Sequence, residues 1–305
     1  MASSSTAGSS RPHSPTLSER SLDDVLPWKR KIGYGMGHIL NDLCASMWFT
    51  YLLLFFHRVL QFDNVYAGVI LFTGQIADGL STLFVGYFSD NGDDLWLCNK
   101  YGKRKSWHLI GTLCVLISFP FIFVPCVGCS DADDYAQMIY YAAFVILFQF
   151  GWASTQISHL AMIPELSTDQ NERTGLTAIR YGMTVAANIT VYLVTWIFLG
   201  IGSQDSMLGP DDAGSFRNIM IVCVTLGGFA SLLFHTLVRI QPFEAMENRM
   251  NSAENLRPRQ GRKITTKDWL LEPQFYQVAG AYMTTRLFVN LTQAYIPLYL
   301  QVSPF

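Results

Sequence analysis

Seven apolar runs, at roughly 32–56, 65–88, 106–127, 136–162, 174–200, 216–238 and 274–302, constrain this 305-residue chain more than any motif in it. Each is long enough to cross about 30 Å of hydrocarbon as a helix. Backbone groups find no water in that layer and open sheet edges are excluded from it, so the spans must be helical. Half of the residues are hydrophobic and only 14% are charged. That balance leaves no polar coat for a water-soluble globule. The expected fold class is all-α: a polytopic helical membrane protein.

Lys and Arg set the orientation. Lys29, Arg30 and Lys31 precede the first span, Lys100, Lys103, Arg104 and Lys105 fill the second loop, Arg173 lies in the fourth, and seven cations from Arg239 to Lys267 lie in the sixth. The alternate loops hold acids, among them Asp131, Asp133, Asp134, Asp211 and Asp212. The N-terminus is therefore expected in the cytosol. Residues 1–28, rich in Ser and Pro, read as a disordered cytosolic arm without a signal peptide's apolar core. Residues 29–240 read as a six-helix unit, 241–272 as a polar cytosolic linker, and 273–305 as one further span. A linker of that length usually joins two comparable bodies. The chain is accordingly expected to be a truncated form that inserts but does not transport.

Between spans two and three, Gly86 and Asp90 face Gly102, Lys103, Arg104 and Lys105 across a short loop. A glycine lets helix ends approach closely, and the acid and the cations can pair in one conformation and part in another. That pattern is a cytoplasmic gate, a device of transporters. Inside the spans, charge costs about 2.5–3.5 kcal/mol on insertion scales, so such residues should face the bundle interior or a wet cavity. His38 and Asp42 lie one turn apart and share a face. Asp78 lies mid-span two, one turn after Gln75. Arg180 lies a turn into span five, His159 late in span four, and Arg286 mid-span seven. These residues either couple transport to an ion and receive a substrate, or lock helices together as structural pairs.

Other motifs carry less. Cys126 and Cys129 have metal-ligand spacing but lack the second pair that zinc requires; a local disulfide is the alternative. The sequons at Asn188 and Asn290 fall inside spans, out of a glycosylating enzyme's reach. Gly33, Gly35 and Gly37 follow no strand, so close helix packing is expected there rather than a phosphate loop. Nothing points to an enzyme, a metal, a cofactor or a nucleic-acid partner. The expected partners are lipid and a small solute, with the oligomeric state open. A seven-helix receptor is the rival class, opposed by the cytosolic N-terminus and the gate pattern.

Several runs resemble the major facilitator superfamily, in its glycoside–pentoside–hexuronide:cation symporter branch. They are Lys31-Ile32-Gly33-Tyr34-Gly35 with Asn41-Asp42, Asp78-Gly79, Tyr101-Gly102-Lys103-Arg104-Lys105-Ser106-Trp107, and Ile163-Pro164-Glu165-Leu166 through Glu172-Arg173 to Arg180. The resemblance implies a secondary transporter working by alternating access, and it implies coupling or substrate roles for Asp42, Asp78 and Arg180. Acids common in the branch are replaced here by Thr82 and Gln156, which disfavours sodium and leaves a proton, or another cation, as the coupling ion. The runs 40–51 and 150–160, and Tyr282-Met283-Thr284-Thr285-Arg286, resemble a group within the branch found in lysosomes and melanosomes. That likeness implies cysteine import, symport and a link to pigmentation. A sugar or other organic solute is the alternative within transport.

Overall fold

The structure is a computed structural model describing residues 26–91, 98, 101–167, 169–200, 208–238 and 270–302. Most of the expected N-terminal arm and of the linker lies outside the described residues. Nine α-helices are used below: α1 (Trp28–Met36), α2 (Ile39–Leu54), α3 (Asn64–Asn91), α4 (Lys103–Ile122), α5 (Asp134–Ala161), α6 (Ile163–Leu166), α7 (Gln170–Thr195), α8 (Ala213–Leu237) and α9 (Pro273–Val302). Among the described residues no strand occurs. The first span is α1 and α2 together, continued by a π-helical turn over Phe55–Val59. Six spans are apolar enough and long enough to cross a membrane. The seventh helix, α9, is long enough at 30 residues but less apolar, because Arg286, Asn290 and Gln293 interrupt it.

Local chemistry sets the ends. The fourth-loop helix α7 begins at Gln170, four residues before the expected start, because the Asp169 carboxylate accepts from the Glu172 amide at 2.9 Å. Arg180 therefore lies about three turns into its helix rather than one. Helix α4 stops at Ile122 instead of 127, since Pro125 bars helix for the residue before it. The turn that follows holds Cys126 and Cys129 in a disulfide, with Cα atoms 5.2 Å apart. The sequon asparagines lie within α7 and α9, as expected.

The first span is the centre of the bundle: 72% of its most apolar stretch is buried, against 17% for the fifth. Helix α2 packs against α7, α8 and α9, while α5 packs against α3 and α4. The glycines of α1 explain how the centre is so tightly enclosed. A Cβ on Gly35 would lie 2.8 Å from Ile179 of α7, and one on Gly37 would lie 2.6 Å from the Phe234 ring of α8. Large side chains such as Phe72, Leu80, Leu83, Tyr181 and Phe229 remain exposed on the outside. An outward apolar coat of this kind suits lipid and not water.

Candidate functional site

The first span breaks at Gly37 and His38, between α1 and α2. A break inside a membrane helix frees backbone groups that must find other partners. Here two imidazoles supply them. His159 of α5 donates through Nε2 to the Tyr34 carbonyl at 2.7 Å, and His108 of α4 donates through Nε2 to the Gly37 carbonyl at 2.9 Å. The Tyr34 ring stacks on His159, centroids 4.1 Å apart, and its hydroxyl returns a bond to the His159 carbonyl at 3.0 Å. Behind His108, its Nδ1 accepts from His235 Nε2 at 3.2 Å, and His235 Nδ1 meets the Tyr101 hydroxyl at 2.9 Å. Three histidines thus brace the break.

The fourth histidine does something else. His38 Nδ1 lies 2.8 Å from Asp42 Oδ2, and His38 Nε2 lies 2.7 Å from Arg180 Nη2. Thr184 donates to the same Asp42 oxygen at 3.0 Å. His38 and Asp42 are 4% and 6% exposed. A carboxylate on the first span and a guanidinium on the fifth therefore share one imidazole rather than touching each other.

Asp78 sits apart from this cluster. Its carboxylate accepts weakly from Thr82 at 3.5 Å, and it faces a small recess lined by Trp48, Phe148, Gln149, Trp152 and Gln75. The indole nitrogens of Trp48 and Trp152 are buried there without a hydrogen-bond partner among the described residues. Arg286 of α9 is half-buried, and its charge acts on both His38 and Asp78. Gln156 is half-buried on α5 and has no hydrogen-bond partner among the described residues. The structure thus brings His38, Asp42, Arg180 and His159 together, reaches Asp78 through Arg286, and leaves Gln156 outside the bonded cluster.

At the end of the bundle near residues 90 and 104, Arg104 is the hub. It pairs with Asp90, donates to the Ser89 hydroxyl at 2.7 Å and approaches Glu165 at 3.4 Å. Lys103 donates to the Asp90 carbonyl at 2.6 Å. Two expectations need correction. Lys105 does not face Asp90: it is 5% exposed and donates to the carbonyls of His235 and Val238, at 2.8 and 2.7 Å, capping the end of α8. Gly86 does not serve a close approach, since a Cβ there would meet nothing within 4 Å. The glycine that the geometry requires is Gly102, at φ +92° on the threshold of α4. At the same end Lys31 of α1 pairs with Glu172 of α7 at 2.8 Å. Outside the spans, partial burial pushes the pKa of the Tyr101 hydroxyl up.

Tyr34, His108, Glu165, Thr184 and His235 take part in these contacts without having been singled out as site residues. Thr184 was within reach of sequence reasoning, one turn after Arg180. Tyr34, His108 and His235 were not, because each meets its partner across spans distant in sequence.

A family model for MFS/sugar transport proteins matches residues 33–300. The chain is 49% identical over 286 residues to major facilitator superfamily domain-containing protein 12 of Homo sapiens, covering 90% of this chain and 59% of that one. It is 45% identical over 303 residues to the Equus caballus protein of the same name, covering 96% and 63%. A sodium-dependent lysophosphatidylcholine symporter 1 of Xenopus tropicalis is 27% identical over 209 residues, covering 68% of this chain and 36% of its own. The chain spans about three fifths of the length of the curated relatives it matches most extensively.

Proposed function

We propose cysteine, or a similar small solute, as the cargo of this chain, which belongs to the family of MFS/sugar transport proteins and is a secondary transporter. The observation that carries the reading is the buried cluster at the break of the first span. Asp42 and Arg180 meet there through His38, and Arg286 acts on both that cluster and Asp78. Two carboxylates and two guanidiniums balance in charge. Such a set suits a zwitterion, whose carboxylate an arginine receives in a fork of donors and whose ammonium an acid receives. A discontinuous helix carrying a charged site is how many transporters hold substrate. Cysteine itself is suggested by the resemblance of the runs at 40–51 and 150–160.

The proposed cycle is alternating access, with residues 29–240 rocking against a second six-helix body around this site. The Asp90–Arg104–Glu165 network would hold one closed state. The membrane is proposed to be that of a lysosome-related organelle, with the N-terminus cytosolic as the Lys and Arg distribution suggests. The experiment is labelled cysteine uptake into organelles that lack their own cysteine transporter. With residues 29–240 joined to a second six-helix half, saturable uptake that depends on Asp42 and Arg180 supports the reading, and no uptake overturns it.

A sugar or other organic solute is the second reading. The recess beside Asp78, with two indoles and two amide side chains, is the observation that favours it. Competition by unlabelled sugars against cysteine separates the two. The receptor alternative has no support left once the family is known.

A further inference from the structure

The two ring nitrogens of His38 are bound in a way that fixes its charge. Arginine has only donors, so the Arg180 Nη2–H at 2.7 Å requires a lone pair on His38 Nε2. The imidazole must then carry its proton on Nδ1, directed at Asp42 Oδ2, 2.8 Å away. Hence His38 is neutral whenever the Arg180 contact exists. A proton arriving at Nε2 converts the acceptor into a donor, and two N–H groups would then face each other. The contact must break, and Arg180 is released.

The other three histidines at the break cannot do this. His159 and His108 each donate to a backbone carbonyl, and His235 donates to His108, so none of them has a cation bound to its lone pair among the described residues. The groups that face His38 are Asp42 on its own span, Arg180 on α7, and His159 of α5, its ring 5.4 Å away. Arg286 of α9 acts on it by charge, and His108 of α4 lies behind His159, their rings 5.9 Å apart. From α8, Phe234 meets His108 and His159, and His235 meets His108. On α3 the acid of the cavity is Asp78, which bonds Thr82 instead.

Resting on the transporter reading above, we propose that His38 is the proton site that gates Arg180: proton binding at Nε2 and the Arg180–His38 bond exclude each other, so a proton and a carboxylate-bearing solute bind together. The charges agree. Asp42, neutral His38 and Arg180 sum to zero; the proton adds one positive charge, and the solute carboxylate removes it. The coupling ion would then be a proton held by an imidazole bonded to a carboxylate.

The test uses the whole 305-residue chain in lipid nanodiscs, with nitrogen-15 in its histidines and arginines. Between about pH 4 and about pH 8, the His38 ring and the Arg180 guanidinium resonances are expected to change together, at one midpoint. In His38→Gln, whose amide can still donate to Asp42 and accept from Arg180, the Arg180 signal should stay constant over that range. An Arg180 signal that stays constant while His38 titrates overturns the proposal, as does a His38 that holds its proton on Nε2 at the high end. A second arm adds L-cysteine and measures binding by calorimetry in two buffers. One proton taken up per cysteine, with affinity falling about tenfold per pH unit above the midpoint in the parent and under about twofold in His38→Gln, supports the coupling. Binding without proton uptake overturns it. If cysteine binds neither to this chain nor to residues 29–240 joined to a second six-helix half, the cargo reading above fails, while the nitrogen signals still decide the fate of the His38 switch.

Discussion

At the residue scale the decisive unit is the imidazole that separates Asp42 from Arg180. Asp42→Asn keeps an oxygen to accept from Thr184 and His38 but loses the charge. Transport should fall at least tenfold, about 1.4 kcal/mol, with membrane targeting unchanged, as cysteine uptake and localisation of a tagged protein would show. Asp78→Asn is expected to do the same, and normal uptake by both variants would make the acids structural. Steric closeness gives a second prediction. A Cβ at Gly37 would stand 2.6 Å from the Phe234 ring, which is fully buried and has little room to move. Gly37→Ala should therefore destabilise the bundle by about 1–3 kcal/mol, seen as a lower melting temperature in detergent. An unchanged melting temperature would mean that α8 gives way easily. The pairing of His38 with Asp42 was legible from spacing alone, because both lie on one helix one turn apart. The arginine that completes the unit was placed on the right span but at the wrong depth, since the Asp169 cap lengthens α7 at its start.

At the scale of elements, the basic cluster before α4 divides into two functions. Arg104 joins α3, α4 and α6 through Asp90, Ser89 and Glu165, and of these only Asp90 is exposed. An exposed pair there contributes only about 0–1 kcal/mol to stability, but a shift of that size moves a two-state population severalfold. Arg104→Ala is thus expected to leave the melting temperature within about a degree while increasing labelling of a cavity cysteine from the gate side. Lys105→Met should do the reverse. It strips the cap from two carbonyls ending α8, so stability should fall by about 1–3 kcal/mol with no preferential opening. Equal effects from the two variants would dissolve the distinction. Sequence showed the helices well, because a span's length and apolarity are local properties. It could not divide the basic cluster, because Lys105 finds its partners 130 and 133 residues away. Nor could it show the break in the first span, which three histidines from three other helices make tolerable.

At the scale of the molecule, the reading of a solute held inside the bundle rests on the central first span and the balanced charges around its break. The orientation proposed above rests on cation placement, and it predicts that a tag on the N-terminus is reached by antibody only after the plasma membrane is opened, with organelles left intact. Access from the organelle interior alone would invert the gate and the direction proposed for the cycle. The central claim is that Asp42, His38 and Arg180 form the site of a cysteine transporter. Its most direct test is uptake of radiolabelled cysteine into organelles lacking their own transporter, supplied with the protein in which residues 29–240 are paired with a second six-helix half. Saturable uptake that collapses in Arg180→Gln, with the variant still folded and targeted, is the predicted result; no uptake, or full uptake by Arg180→Gln, would contradict it.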